Sequence, residues 1–487
     1  MKEKEAAGYL TVYLAMSLTV ILSLFFALIE GARMNAIRMQ IELVSDAAMN
    51  SVLGEFHREM HKQYDMFFVD ESYGTDSPSD QRVKEHLEKY ISENYSQGGY
   101  IPFGYTRTFT GLKTDSLEIT GTRCAADNDA DAIRQQVYAY MSADQLGRIT
   151  AQVLADVDRF NGLGLESGEW QSKKAENDSK LEEMNEKADE KKTEIEDAGG
   201  DSDVGGDSNP AEKVDALRTT FALDQVLGTH RSISNTETDT GECLSHRNFH
   251  TGTGLEPDNT HDYDRADAVV FDEYILEKCS NYKEEVKQGK LSYEVEYILF
   301  GDGSDETNLN SMALRLLLIR EAANCIYIFS DSGKSAEAEA VALAITTVLL
   351  VPEAAEVVKN AILFAWSYIE SIQDVKTLFT GGKVPLMKSA STWRTSLTNV
   401  LSSSVTAKGD TAGSGLCYKD YLRIFLFLEN GSQKNYRLMD VMEMDIRETE
   451  CNENFRIDWC MDAFGISSVT SSSFGYSYPM KREISYN

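Results

Sequence analysis

The side chains best suited to chemistry lie in one stretch: Cys243, His246, His250 and His261, with Asp262 and Asp264 beside the last. Thiolate, imidazole and carboxylate are the donors that hold a transition metal, and the spacing C-x-x-H-x-x-x-H is conceivable for one. The Ser, Thr, Asn and Gly residues around them read instead as an exposed loop. A second pair, His57 and His61, has the i, i+4 spacing of a helical zinc site, but Arg58 stands where a metalloprotease needs its glutamate base. Two solvated histidines are expected there. Asp127, Asn128, Asp129 and Asp131 begin like a calcium loop, yet Ala132 replaces the required glycine and Tyr138 the twelfth-position glutamate. Carboxylates capping a helix that starts at Ala132 explain them better. In Asp331-Ser332-Gly333-Lys334-Ser335, Gly333 takes the place of the first hydroxyl of a metal-adhesion motif, and Ile328 that of the first phosphate-loop glycine. A turn between two helices is expected. No G-x-S-x-G elbow is present. Catalytic residues, metal ligands and cofactors are therefore expected to be absent.

The elements that carry these residues belong to a 487-residue chain with 47 Lys+Arg against 79 Asp+Glu, a net charge of −32. So acidic a surface repels phosphate backbones, and a nucleic-acid partner is not expected. The 42% hydrophobic content suffices for packed cores in two to four units. Seven cysteines never form a C-x-x-C pair, and their odd number leaves at least one thiol free or bonded to another chain.

The most informative segment is the start. Residues 6–29 carry no charge, and at about 1.5 Å per residue they form a helix of roughly 36 Å, enough to cross a hydrocarbon core of about 30 Å. The run is longer than the roughly 7–15 apolar residues of a cleaved signal, and an uncleaved anchor is expected. Lys2, Lys4 and the free amine precede the span, while Arg33 and Arg38 follow it, so the flanking charges nearly balance. The short end is expected inside and the head outside. Beyond Glu30, Met34, Ile37, Ile41, Val44, Ala48, Val52, Phe56 and Met60 recur at helical steps with no proline between them. That stripe must pack on the head or on a neighbouring copy, and the helix is expected to reach about His61.

Residues 8–51 resemble the N-terminal segment of the TadE/TadG-like proteins of tight-adherence (Flp) pilus systems. Glu30, Gly31, Arg33 and the Asp46-Ala47-Ala48 turn hold that family's positions. Segments 291–300, 341–375 and 421–462 resemble a family of large bacterial membrane proteins that share this anchor and carry a domain of unknown function. The resemblance implies a structural or assembly role with pilus or secretion-system proteins. Processed pilins of this class have a glutamate five residues after the glycine, where this chain has Tyr13; an unprocessed, TadG-like anchor fits better.

Along the rest of the chain, residues 64–70 and 116–123 read as strands, 83–95 and 132–160 as helices. Residues 162–210 form a charged arm ending in a Gly/Asp linker at 199–206, with no heptad seam. The alternation of Tyr293, Val295, Tyr297 and Leu299 predicts a strand over 291–300. Helices follow over 308–329, 336–351, 354–372 and 418–428, with 341–351 a buried core helix, and 473–487 supplies a late strand. The expected fold is α+β: a tail (1–5), a transmembrane helix (6–29), an amphipathic stalk helix (30–62), a mixed head (63–161 and a helix-rich 211–487) and the arm between. The expected protein is a single-pass component of the cell membrane with an extracytoplasmic head. It acts through lipid contact, helix packing and protein contacts, with homo-oligomers open to it. Glu30 and Arg33 mark the membrane edge; Met34, Ile37, Ile41 and Val44 form the packing stripe. The alternatives are a membrane-tethered extracellular metal-dependent hydrolase using His246, His250 and His261, and an anchored adhesion or binding module.

Overall fold

A computed structural model describes residues 2–96, 111–141, 146–197, 210–229, 232–255, 263–402, 415–429 and 431–486. These residues are mostly helical with a small antiparallel sheet and one long apolar N-terminal helix, an α+β fold. They divide into two compact units. Met1–Gln136, Phe249–Thr260 and Thr449–Asn487 form the first; Val137–Asn248 and His261–Glu448 form the second.

The first unit begins with α1 (Lys2–Leu53), a single 52-residue helix. It stops eight residues short of the expected end. After Leu53 the ladder tightens, Gly54 N–H bonding to Asn50 O at 2.9 Å and Glu55 N–H to Val52 O at 3.0 Å. A new helix, α2 (Arg58–Tyr64), then starts at His57, whose Nδ1 accepts from Met60 N–H. The strand expected over 64–70 shrinks to β1 (Val69–Asp70), because Tyr64 still belongs to α2 and Asp65 closes that helix in the left-handed region, φ 56°. There follow α3 (Asp80–Ser96), β2 (Lys113–Cys124) and α4 (Asp127–Met141), and much later β3 (Cys460–Ser471) and β4 (Ser477–Ser485).

The sheet is built on β3. One edge of it pairs with β2 from Lys113↔Ser471 to Cys124↔Met461. The other pairs with β1 at Asp70↔Cys460 and, further along, with β4 from Ala463↔Ser485 to Ser471↔Ser477. The C-terminal part of α1 and the apolar face of α3 pack on it. Ala48, Met49, Val52 and Leu53 meet Val83, Leu87 and Ile91 over Leu117, Met461, Phe464 and Ile466. The first unit thus has its own core, and α1 is part of it.

The helix expected over 132–160 is two helices, α4 and α5 (Leu146–Gly162), and its apolar positions serve different units: Ile133 the first, Val153 and Val157 the second. The second unit continues with α6 (Glu169–Asp197), α7 (Pro210–Arg218), α8 (Ala222–Leu227), α9 (Arg265–Lys278) and α10 (Glu294–Phe300). Next come α11 (Asp305–Ile328), α12 (Ser332–Val348) and α13 (Ala355–Phe379), then α14 (Leu397–Leu401), α15 (Tyr418–Leu428) and α16 (Ser432–Arg447). Its axis is α13, buried on every face from Ala361 to Val375, with α6, α7, α8, α11, α12 and α14 packed around it. The charged arm is therefore no free projection. Leu181, Met184 and Ala188 of α6 are buried, and Asn177 donates to Val357 O at 3.2 Å. The linker at 199–206 lies outside the described residues.

Burying α13 also buries charge, and it is matched. Lys388 Nζ lies 2.5 Å from Glu370 and 2.6 Å from Asp374, while Arg320 bonds Asp374 at 3.0 Å and the carbonyls of Pro385 and Leu386. Two cations thereby answer two carboxylates, as water exclusion requires.

Two expectations fail here. Residues 291–300 form α10 instead of a strand. Residues 293–299 are all buried, so the alternation that suggested two unlike faces has no counterpart in solvent exposure. Glu294 and Glu296 face inward, accepting from Ser280 N–H at 2.6 Å and Tyr282 N–H at 3.1 Å, and Gly301 closes the helix at φ 75°. Residues 341–351 are not a buried core helix. α12 rests on α13 through Ala338, Ala342 and Thr346, small residues at i, i+4 and i+8, and leaves Leu343, Val348 and Leu350 exposed.

Burial pushes the Glu296 carboxyl up to about 7, against the lowering effect of the Tyr418 hydroxyl and the Tyr282 amide. An acid held above its unfolded value of 4.5 leaves its stability intact below that value and loses it as pH rises through 7. Glu296→Gln is expected to remove on the order of 3 kcal/mol of that loss. The check is thermal unfolding at pH 5 and pH 8: the variant's difference should be smaller than the parent's, and an equal difference would contradict the assignment.

Candidate functional site

Glu30 and Arg33, singled out in the sequence, form an i, i+3 ion pair, Arg33 Nη1 to Glu30 Oε2 at 3.0 Å. The turn between β3 and β4 meets it. Tyr476 donates its hydroxyl to Glu30 Oε1, Phe474 lies under the Arg33 guanidinium at 4.4 Å, and Tyr478 Oη reaches Met34 O at 3.5 Å. One aromatic ring and two tyrosine hydroxyls therefore collar α1 where its apolar half ends. The stripe divides: Met34 is 41% exposed, Ile37 and Ile41 are buried, and Val44 packs against the core of the first unit. Beside them Arg482 of β4 approaches Glu42 at 3.9 Å and Asp46 at 3.6 Å.

On another face, Ala32, Ala36, Met39 and Leu43 recur at helical steps and are all exposed, Met39 by 62% and Leu43 by 57%. Towards the N-terminus, Tyr9–Leu53 contains an 18-residue window of mean hydropathy 2.4, none of it buried. A single-pass anchor or a signal sequence has that character.

The remaining candidates separate. His57 and His61 do not share a helix face, since His57 caps α2 from outside. His57 Nε2 meets Asn452 Oδ1 at 3.1 Å, and burial lowers its pKa; His61 stacks on Phe67 at 4.4 Å. Asp127 does not cap α4. Asn128, Asp129 and Ala130 take left-handed φ of 49–64°, and the Asp127 carboxylate turns back to accept from Cys124 N–H at 2.7 Å and Gly252 N–H at 3.0 Å. Asp331 does sit at a turn between helices, capping α12 through Gly333 N–H and Lys334 N–H.

The Cys243, His246, His250, His261 group is split. Cys243 and His246 belong to the second unit and His250 to the first. Cys243 is buried and donates to Asp239 O at 3.6 Å, His246 is exposed, and His261 lies outside the described residues.

His250 has other neighbours. Glu71 follows β1, held by its N–H to Trp459 O at 3.0 Å, and Cys124 ends β2 opposite Met461. Cys124 Sγ lies 3.9 Å from Glu71 Oε1 and His250 Nε2 3.9 Å from Glu71 Oε2, and one donor atom from each residue fits within 4.8 Å. Glu71 and Cys124 are fully buried; the His250 side chain is 38% exposed. Glu71 Oε2 has no hydrogen-bond partner. Three carboxylates nearby are answered: Asp462 by Arg123, Asp458 by Arg456 and His250 N–H, Asp70 by the Ser72 amide and hydroxyl. Burial, with the charges of Asp80 and Asp70, pushes Glu71 up to about 8, and burial with Glu71 pushes the Cys124 thiol far up. No sequence signal tied these three residues together, because they meet only once β1 and β2 pair with β3.

Glycines let the loop that carries His250 touch β2. Thr122 N–H bonds to Thr253 O at 2.9 Å, and a Cβ on Gly252 would stand 2.2 Å from Thr122 O and 2.7 Å from Asp127 Oδ2. Gly252→Ala is expected to lift this loop and cost the first unit about 1–3 kcal/mol. Amide exchange at Thr122 should quicken; exchange at the parental rate would show that the contact tolerates a methyl group.

Comparison with known proteins gives one match, to the family of unknown function DUF5702 over residues 201–472, more than half of the chain. No curated protein and no solved structure matches. The chain belongs to the DUF5702 family.

Proposed function

We propose that this protein is a membrane-anchored structural component of a pilus or related secretion assembly, of the TadE/TadG kind its N-terminal segment resembles, working by helix packing and protein contacts and not by catalysis. One observation carries the reading: a single helix is bare on all sides over its apolar half and built into a folded core over the rest. A cleaved signal would break this rod. An anchor uses it, since lipid at one end and head at the other are then joined without a hinge. The collar at Glu30 and Arg33 supports the same reading, as aromatic and charged side chains suit the headgroup level. The head would stand outside the cytoplasm, where its charge of −32 favours solubility over binding to acidic surfaces.

Because Ile37 and Ile41 are occupied within the first unit, lateral packing falls to Ala32, Ala36, Met39 and Leu43. Small residues followed by larger apolar ones let the juxtamembrane stretch of a neighbouring subunit's helix approach closely. The tethered-hydrolase alternative has less support, since Cys243 is turned to Asp239 O and His250 to Glu71.

Photo-crosslinkers placed at Met39, Leu43 and Ile41 in cells test this. Adducts are expected from Met39 and Leu43 and not from Ile41. Free monomer from all three positions would remove the assembly role and leave an anchored binding module.

A further inference from the structure

We infer that Glu71, Cys124 and His250 form a site for one zinc-class divalent metal ion, with a fourth coordination position open on the His250 side. The site stands apart from the role proposed for α1. Three observations bring it together. The donors are one oxygen, one sulfur and one nitrogen, a set that selects a borderline-soft transition ion over calcium or magnesium. Cys124 Sγ and His250 Nε2 each lie 3.9 Å from a Glu71 oxygen, the first from Oε1 and the second from Oε2, and one donor from each residue fits within 4.8 Å, against the roughly 3.3–3.7 Å expected between donors of a tetrahedral zinc ion with bonds of about 2.0–2.3 Å. The half-exposed His250 side chain can close that gap.

The third observation is the unpartnered Glu71 Oε2. It is a fully buried carboxylate oxygen with no hydrogen bond, facing the imidazole at 3.9 Å, while Asp462, Asp458 and Asp70 near it have partners. Leaving such an atom bare is costly, and a cation removes the cost. Among the described residues this is the one group of three His, Cys, Asp or Glu side chains whose donor atoms converge. The chain ends feeding it are rigid: Glu71 and Cys124 are fixed by the sheet, and His250 by its backbone N–H to Asp458 at 2.7 Å and by the Gly252 contact with β2. A bound ion would tie the 249–255 loop to the ends of β1 and β2, with water in the remaining position.

The test uses the full-length chain in detergent, reduced, stripped with a chelator, then titrated with Co²⁺ alone. One Co²⁺ per chain is expected, with a thiolate-to-cobalt charge-transfer band that excess Zn²⁺ abolishes. Surface carboxylates bind cations but cannot produce that band. Cys124→Ser should lose it and Cys243→Ser keep it, while Glu71→Gln, of equal volume, should weaken binding by about tenfold or more. Zn²⁺ should also raise the thermal midpoint of the parent and not that of Cys124→Ser. Absence of the band in the parent protein overturns the proposal whatever the variants do, and so does a band that survives Cys124→Ser.

Discussion

Everything in this molecule follows from one constraint: the apolar half of α1 has no protein surface to lie against. Tyr9, Leu10, Val12, Tyr13, Leu14, Leu18, Val20, Ile21, Leu24, Phe25, Phe26, Leu28 and Ile29 point outward on every face of the helix. In water such a rod would recruit any apolar surface within reach, whereas in lipid it is satisfied along its whole length, because a helix also pairs its own backbone groups. The second half of the same helix meets the opposite demand. Ala48, Met49, Val52 and Leu53 are buried against α3 and the sheet, so the fold of the first unit and the position of the bare apolar half are set by one continuous element.

The join between the halves is where specificity is needed, and the chain places charge and aromatic rings there. Glu30 and Arg33 alone would make a weak exposed pair. The Tyr476 hydroxyl and the Phe474 ring give both partners a second contact and hold the β3–β4 turn at the end of the apolar run. Elsewhere the excess of acid is handled differently. In the second unit, buried carboxylates are paired with Arg320, Lys388 and Lys434. In the first, Glu71 retains an unpaired oxygen. Asp272, Glu294 and Glu296 of the second unit also keep one oxygen without a hydrogen bond; what sets Glu71 apart is the thiol and the imidazole that converge on it.

Much of the fold was legible in the sequence where local pattern decides it. The long apolar N-terminal helix, α3, α11, α15 and the strand within β2 follow from charge-free length, helical spacing or alternation. The misreadings share a cause. Residues 291–300 and 341–351 are apolar runs, and whether such a run becomes strand, buried helix or half-bare helix depends on neighbours that arrive from elsewhere. For α10 they are Ser280 and Tyr282, whose amides meet its inward carboxylates; for α12 it is α13, which accepts only the small side chains. The central strand β3 was not anticipated, since Gly465, Ser467 and Ser468 interrupt its alternation, and Gly465 is there because a Cβ would strike Thr120 Oγ1 at 2.6 Å. Without β3 the meeting of Glu71, Cys124 and His250 could not be foreseen. His250 was singled out for its type and grouped with Cys243, His246 and His261; its place beside Glu71 and Cys124 appears only once β3 is in position.

The most direct measurement of the central claim is fractionation of cells that produce the full-length chain, with alkaline extraction of the membranes followed by detergent and mass determination of the recovered protein. An anchored rod predicts that the intact chain, N-terminal residues included, stays in the membrane pellet through alkali and is released only by detergent. Recovery in the soluble fraction of a chain that still carries its first thirty residues would contradict it.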